Sequence, residues 1–177
     1  MAYPGDLMRI EVKAAGELSL EEGLQLETLS AEAFPPGSTD LMWSTGELHV
    51  LVWEGHEIAS HVEILERTVS VGSRPMRLGG IGGVATRSSW RKRGLAEAAM
   101  RAAQAYLRDT LKVEFALLVC GEALIPYYER LGWKRVEVPM WIEQPAGRVK
   151  FKGPIMILPV CRQDWPEGEI DLKGKPG

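Results

Sequence analysis

The residues best suited to chemistry crowd into one short stretch, Arg91-Lys92-Arg93-Gly94-Leu95-Ala96, between a glycine-rich apolar run and a segment of helical periodicity. A strand-to-helix junction leaves the first backbone N–H groups of the helix unpaired and aims the positive end of its dipole, roughly half a unit charge, at whatever binds there. A diphosphate suits such a site. Gly94 admits a positive φ or a close approach to phosphate oxygens, the small Ala96 avoids crowding them, and Arg91, Lys92 and Arg93 add positive charge. Two rival phosphate patterns fail. Gly80-Ile-Gly82-Gly-Val-Ala85 has the spacing of a dinucleotide loop, but no helix opens directly after it and Arg74, Pro75 and Arg77 precede it. No Gly-Lys-Ser/Thr of the Walker type occurs at all.

Other polar candidates are more scattered. His61 and Glu63 alternate with Val62 and Ile64, so on a strand they share one face and offer a proton relay through water; the plainer reading is an exposed polar sheet face. Asp40 and Trp43 stand in a loop after Pro35-Pro36-Gly37 and are candidate substrate-binding residues, and Glu122 is either functional or an ordinary first-turn acid. His49, His56 and His61 share no ligand spacing, and Cys120 and Cys161 have no paired spacing, so reduced thiols and no metal are expected.

The elements that must position these groups are readable from periodicity. Ser19-Leu-Glu-Glu22 has capping-box spacing ahead of Leu20, Leu24, Leu29 and Phe34, predicting a helix over 20–34. Strands are predicted over Arg9–Val12, Leu48–Trp53, Ile58–Val71 and Leu78–Thr86, with turns at Glu54-Gly55-His56 and Gly72-Ser73-Arg74-Pro75. Leu95, Ala98, Ala99, Ala102 and Tyr106 recur at helical spacing in an Ala-, Arg- and Leu-rich stretch, predicting a helix to about Leu111. Glu114–Cys120 then reads as a buried strand, Leu124–Leu131 as a short helix closed by Gly132, and Lys134–Val138 and Pro154–Pro159 as strands. Strands that begin antiparallel and later alternate with helices imply an α+β fold, a mixed sheet covered by helices.

At 177 residues and 45% hydrophobic, the chain fits one domain over 1–177, with an irregular tail over 165–177. Its apolar runs are far shorter than a bilayer span and its acidic start, with Asp6 and Glu11, is unlike a signal peptide, so a cytoplasmic protein is expected, with no membrane and no nucleic-acid partner. Residues 1–66 hold 13 acidic side chains against two basic ones, leaving 11 acidic and 19 basic afterwards. That asymmetry suits ligand-facing halves of opposite sign, or solvated faces that happen to segregate.

Arg91-Lys92-Arg93-Gly94-Leu95-Ala96 after a Val-containing strand, followed by Tyr128-Glu-Arg-Leu-Gly-Trp133, resembles the GNAT superfamily of acetyl-CoA-dependent N-acetyltransferases. Both motifs occur in family order, separated by a helix and a strand. The resemblance implies a GNAT fold, a mostly antiparallel mixed sheet of about six to seven strands flanked by about four helices. It also implies acetyl-CoA as co-substrate, direct attack of an amine on the thioester, and a cofactor site made of Val84, Ala85, Thr86 and the Arg91–Ala96 turn. The strand around Val84 would contact the thioester carbonyl and pantetheine arm, and Tyr128 would protonate the departing thiolate; the alternative for Tyr128 is helix packing, as for Tyr127. Many relatives place a Glu on the strand where this chain has Gly82, a position expected beside the acceptor. Within the superfamily, Arg87-Ser-Ser-Trp-Arg91, Ala33-Phe34, Val52-Trp53, Ile157-Leu158-Pro159 and Asp164-Trp165-x-x-Gly168 are most similar to the aminoglycoside 2'-N-acetyltransferase and nodulation acyltransferase group. The basic run Arg148–Lys152 departs from the acid-rich pocket expected for an aminoglycoside, although Asp40, Glu63, Glu167 and Glu169 are available for one ammonium group. The leading expectation is acetyl transfer to a small-molecule primary amine, an amino sugar among the options. A non-catalytic acyl-CoA sensor and a protein N-acetyltransferase are the alternatives, and Trp141, Ile142 and Trp165 leave room for a homodimer.

Overall fold

Four antiparallel strands open the chain: β1 (Arg9–Ala14), β2 (Leu48–Glu54), β3 (Glu57–Val71) and β4 (Arg74–Thr86). The structure is a computed structural model and describes residues 8–177, so Asp6 lies outside the described residues. Helix α1 (Leu20–Ala33) separates β1 from β2 and begins as its capping box dictates: Ser19 accepts from the Glu22 amide at 3.1 Å while the Glu22 carboxylate accepts from the Ser19 amide at 2.8 Å. The same carboxylate accepts from Lys13 Nζ at 2.6 Å, tying α1 to β1.

After β4 come α2 (Leu95–Tyr106), β5 (Phe115–Val119), α3 (Ile125–Arg130), β6 (Lys134–Val136), β7 (Met140–Gln144), β8 (Gly147–Lys150), β9 (Ile155–Pro159) and β10 (Ile170–Asp171). Strand β5 runs parallel to β4, is flanked on its other side by antiparallel β9, and β6 closes that edge. Fifteen-residue β3 holds two neighbours on one edge, β2 along Glu57–Ile64 and β10 at Ser70 and Val71, and β10 in turn pairs with the β7–β8 hairpin.

The α+β class and the mixed sheet are as expected, but the described residues form ten strands rather than six or seven, and three α-helices rather than four. The added strands are β7, β8 and β10. None carries a long apolar run; they form because Met140, Ile142 and Ile170 fill one hydrophobic cluster with Leu78, Phe115 and Leu117. The tail expected to be irregular therefore contributes a strand. The helix predicted to reach Leu111 ends its α-helical part at Tyr106 and finishes in a wider π-type turn over Leu107–Leu111, stopped by Lys112 at φ 52°.

Both sheet faces are covered. Helix α2 lays Leu95, Ala99, Met100 and Ala103 on Val50, Val62, Ile64 and Ile81, joined by Tyr128 and Trp133 from the α3 region. On the opposite face, α1 covers Leu51, Trp53, Ile58 and Ala85 through Leu29. No helix among the described residues is long and apolar enough to cross a membrane. Trp133 is 1% exposed and donates its indole N–H to Gln104 at 3.4 Å, anchoring the chain after α3 beneath α2. Trp133→Ala should cost about 3–5 kcal/mol in urea unfolding, the range for deleting a buried aromatic; a loss under about 1 kcal/mol would contradict that anchoring role.

Candidate active site

Strand β4 pairs with β5 only over Leu78–Gly80, opposite Phe115–Leu117; beyond that point β5 continues against β9 while β4 runs on alone along this edge. From Ile81 onward, one row of β4 backbone groups has no strand partner, and such groups demand a partner wherever water is excluded. The β3–β4 ladder also shifts here, one residue of β3 (Val62, between His61 and Glu63) standing opposite two of β4 (Gly83 and Val84, between Gly82 and Ala85). Gly83 takes φ +56° inside this bulge, a left-handed conformation that favours glycine.

Past Thr86 the chain makes a single 3-10 turn over Ser88–Trp90, then places Lys92 at φ 62° and Gly94 at φ 76° before α2 starts at Leu95. Alternating hands of backbone turn successive N–H groups toward one concavity, an anion nest. Gly94 is the N-cap and supplies no side-chain acceptor, so the first α2 amides stay open for a ligand. A Cβ at Gly94 would meet nothing within 4 Å, so φ and the neighbouring open space, rather than crowding by protein, set the requirement for glycine. The three basic residues do not act alike: Arg91 Nε donates to the Thr86 carbonyl at 3.2 Å and Arg93 stacks on Trp90 at 4.7 Å, so both brace the turn, whereas Lys92 is exposed. Thr86 is occupied laterally by Ser60 at 2.8 Å, and the Ala85 side chain points into the α1 cluster. These two residues face the site through backbone only. Val84 is half-buried at the bulge, Leu95 is buried under α2, and Ala96 lies on the first turn of the helix.

Tyr128 is 5% exposed on α3, its ring edge-on to Trp133 and to Tyr127. Burial, followed by the neighbouring Cys120 and Tyr127, pushes its phenol well above the ordinary value, so it keeps its proton and is a donor. The neighbouring Tyr127 hydroxyl is buried and has no hydrogen-bond partner among the described residues.

The opposite side of β4 holds the acidic candidate. Glu63 pairs directly across from Gly82, and its carboxylate accepts from the Gly46 amide at 3.1 Å. A Cβ built at Gly83 would stand 2.9 Å from Glu63 Cδ, and one at Gly46 would stand 2.6 Å from Glu63 Cβ, so two absent side chains make room for this one. Gly82 is cleared for a different reason: a Cβ there would lie 2.5 Å from the Gly177 carbonyl carbon, because the tail crosses this strand. Pro176 and Lys175 carbonyls accept from the Ser44 amide and Arg67, securing that crossing. Trp43 lines an open cleft of about 540 Å³ with Glu47, Arg67 and Lys173, while Asp40 is exposed farther back on the same loop. Glu122 forms an exposed ion pair with Arg135 and is not part of this cluster.

His61 is 6% exposed, which corrects the picture of an exposed polar face. It lies next to His49, also 6% exposed, with His49 Nδ1 and His61 Nε2 2.9 Å apart. Burial first, then the neighbouring His49, lowers His61 to about 3 against a weak opposing hydrogen bond to the Gly83 backbone; burial likewise lowers His49, opposed by Glu63. Both rings are therefore neutral at pH 7. His49 was not among the expected residues, and the histidine spacing gives no hint that β2 and β3 bring two of the three together.

Residues 29–136 match the family described as "Acetyltransferase (GNAT) domain". The chain belongs to the GNAT acetyltransferase family. It is 30% identical over 157 residues to the aminoglycoside 2'-N-acetyltransferase of Mycolicibacterium fortuitum, covering 78% of this chain and 80% of that protein. Its fold is similar to that of Escherichia coli ElaA, with TM-score 0.64 at 17% identity, covering 86% and 99% of the two chains. A GNAT acetyltransferase of Brucella melitensis, solved with acetyl-CoA, superposes with TM-score 0.57 at 15% identity over 92% of this chain and 94% of its own. This GNAT chain is thus an N-acetyltransferase with acetyl-CoA as co-substrate, and the residues present fit that molecule: the open α2 amides suit its pyrophosphate, and the unpaired β4 edge suits an amide-bearing arm. Replacing Gly94 with Glu should remove acetyl-CoA binding in a calorimetric titration while leaving the far-UV spectrum of the fold intact, since the new side chain enters open space and brings like charge to the pyrophosphate. Undiminished binding by that variant would place the pyrophosphate elsewhere.

Proposed function

We propose that this GNAT enzyme acetylates a primary amine of a small cationic molecule of the amino-sugar class, with Glu63 receiving the amine's proton and Tyr128 protonating the departing CoA thiolate. The observation that carries the reading is the Glu63 carboxylate beside the β4 bulge, directly across from the glycine at position 82. A lysine-like amine is neutral only about once in 2,500 at pH 7, roughly 4.6 kcal/mol uphill, so a proton acceptor close to the thioester lowers a substantial part of the barrier. Among the described residues Glu63 accepts from the Gly46 amide and pairs with no Lys or Arg, which leaves its charge available to an incoming ammonium. The buried neutral His61 is a poor proton acceptor and supports the reading as a wall of the site rather than as its base. On the leaving-group side, a phenol held in its protonated form by burial is matched to a thiolate, which needs a proton only late in bond cleavage.

The amino-sugar class is supported by the Mycolicibacterium fortuitum relative, named for acetylation at the 2' amine of aminoglycosides. The basic β8 strand is partly neutralised within the hairpin region: Arg148 pairs with Asp171 at 3.4 Å and stacks on Trp141 at 4.4 Å, so it is engaged locally. The acidic first 66 residues contribute Glu47 to the cleft, and Glu63 comes from the same region of the chain.

Release of free CoA thiol, followed over a panel of amino sugars, polyamines and N-terminal peptides, tests the acceptor class; peptides outrunning every amino sugar would overturn it. Tyr128→Phe should lower kcat by about 10² to 10⁴ with little change in the KM for acetyl-CoA, and a variant of full rate would remove Tyr128 from the mechanism. For the base, kcat/KM for the amine should be level between pH 7 and 9 in the unaltered enzyme. In Glu63→Gln it should rise about tenfold per pH unit, because only amine already neutral in solution then reacts. Parallel profiles for the two would show that Glu63 takes no proton.

A further inference from the structure

Three ligand-type atoms meet beside the β4 bulge: one ring nitrogen each of His49 and His61 and a Glu63 carboxylate oxygen all lie within 4.8 Å of one another. Nothing in acetyl transfer by direct attack requires two buried histidines there, and His49 has no part in the mechanism above. We propose that His49, His61 and Glu63 form a binding site for one divalent transition-metal ion of the Zn²⁺ type, which occupies the place of the acceptor ammonium and so inhibits the enzyme.

The cross-strand geometry builds the site from rigid elements. His49 on β2 stands directly opposite Glu63 on β3, and His61 is two residues along β3 on the same face. The two imidazoles lie nearly parallel, with an interplanar angle of 15°, and their facing nitrogens are 2.9 Å apart. Tetrahedral ligands about 2.0–2.1 Å from zinc stand about 3.3 Å apart, so the rings open by only a few tenths of an ångström to admit an ion. The carboxylate closes in by at most about 1.5 Å, from within 4.8 Å to the 3.3 Å of a tetrahedral set, through rotation of its own side chain. Its position is otherwise fixed by the Gly46 amide and by the space that Gly46 and Gly83 leave.

The surroundings are those of metal-binding histidines generally. The His61 ring stands beside the Gly83 backbone, the kind of outer contact that orients a ligating ring. Two imidazoles and one carboxylate are a nitrogen-rich, thiolate-free set, which selects zinc, cobalt or nickel over calcium or magnesium. The three residues supply three ligands, which leaves a fourth position of a tetrahedral ion to a water or other small ligand. Ion binding itself is independent of the acceptor assignment; only its inhibitory consequence rests on that reading.

The test uses tag-free protein carrying Cys161→Ser, which removes the exposed thiol as a competing ligand. Titration with Co²⁺ should saturate at one equivalent, with the intense visible absorption of low-coordinate cobalt, and Zn²⁺ should displace it. His49→Asn should weaken Co²⁺ binding by at least about tenfold, the lower bound found even for disturbing a supporting partner, and thermal melts would confirm that the variant is folded. His49→Gln serves if the first variant is not. The absence of that absorption, or cobalt uptake unchanged in a folded His49 variant, would overturn the site. In steady-state assays Zn²⁺ should raise the acceptor KM and leave that for acetyl-CoA unchanged, an effect lost in His49→Asn. Stoichiometric cobalt binding without that inhibition would overturn the shared position while leaving acetyl transfer itself unaffected.

Discussion

The parting of β4 from β5 after Gly80 is the constraint on which the rest of this molecule depends. Two parallel strands that stayed paired would satisfy their own backbone and present a closed sheet. Here β5 keeps its full ladder with β9, so β4 alone carries the open edge, and it carries it directly into the turn that starts α2. The fold therefore lines up, along one strand and its continuation, an unpaired backbone edge, a bulge and an uncapped helix N-terminus. A long, polar, terminally anionic co-substrate needs those three features in that order. The α2 core contacts to Ile81, Val62 and Val50 hold the helix on the sheet while its first turn stays open.

Electrostatics divides the site along the same strand. On the α2 side, dipole, amides and Lys92 present positive potential, and Tyr128 sits buried enough to keep its proton. On the other side, the polar groups are neutral or anionic: two imidazoles discharged by burial and one carboxylate without a cationic side-chain partner. A cation entering there experiences attraction to Glu63 without competition from a protonated histidine. Had the imidazoles been exposed enough to titrate near their ordinary value, the same cluster would gain positive charge in mildly acidic conditions.

Much of this was legible in the residues. The Ser19 capping box, the α2 periodicity and the Arg91–Ala96 turn are local signals, and each reports a local event that tertiary context only had to respect. Strands β7, β8 and β10 were not legible, because short segments such as Gly147–Lys150 have no apolar period and are fixed by neighbours distant in sequence. The pairing of Glu63 with Gly82 follows from counting back from the tight turn at Gly72-Ser73, since no register shift intervenes. His49 is different. Counting from the Glu54–Glu57 turn places it opposite Val62, on the core face, but a bulge at Val52 and Trp53 moves the register by one residue and turns it toward Glu63. A one-residue slip changes which face a side chain occupies, and nothing in the local sequence marks this one.

The glycine at position 82 changes meaning once its neighbours are seen together. Considered alone, it is a missing carboxylate on the strand where many relatives have one. In the folded chain, a side chain there is excluded by the backbone at Gly177, and side chains at Gly46 and Gly83 are excluded by Glu63 itself. The three vacant Cβ positions are thus parts of one arrangement: they admit a carboxylate from the neighbouring strand to the flank of the bulge and let the tail cross above it. A Glu at position 82 would have to displace the tail, and with it the Ser44 and Arg67 contacts that hold the loop before β2. The Glu63 carboxylate and the crossing of the tail are consequently coupled through a single strand pair.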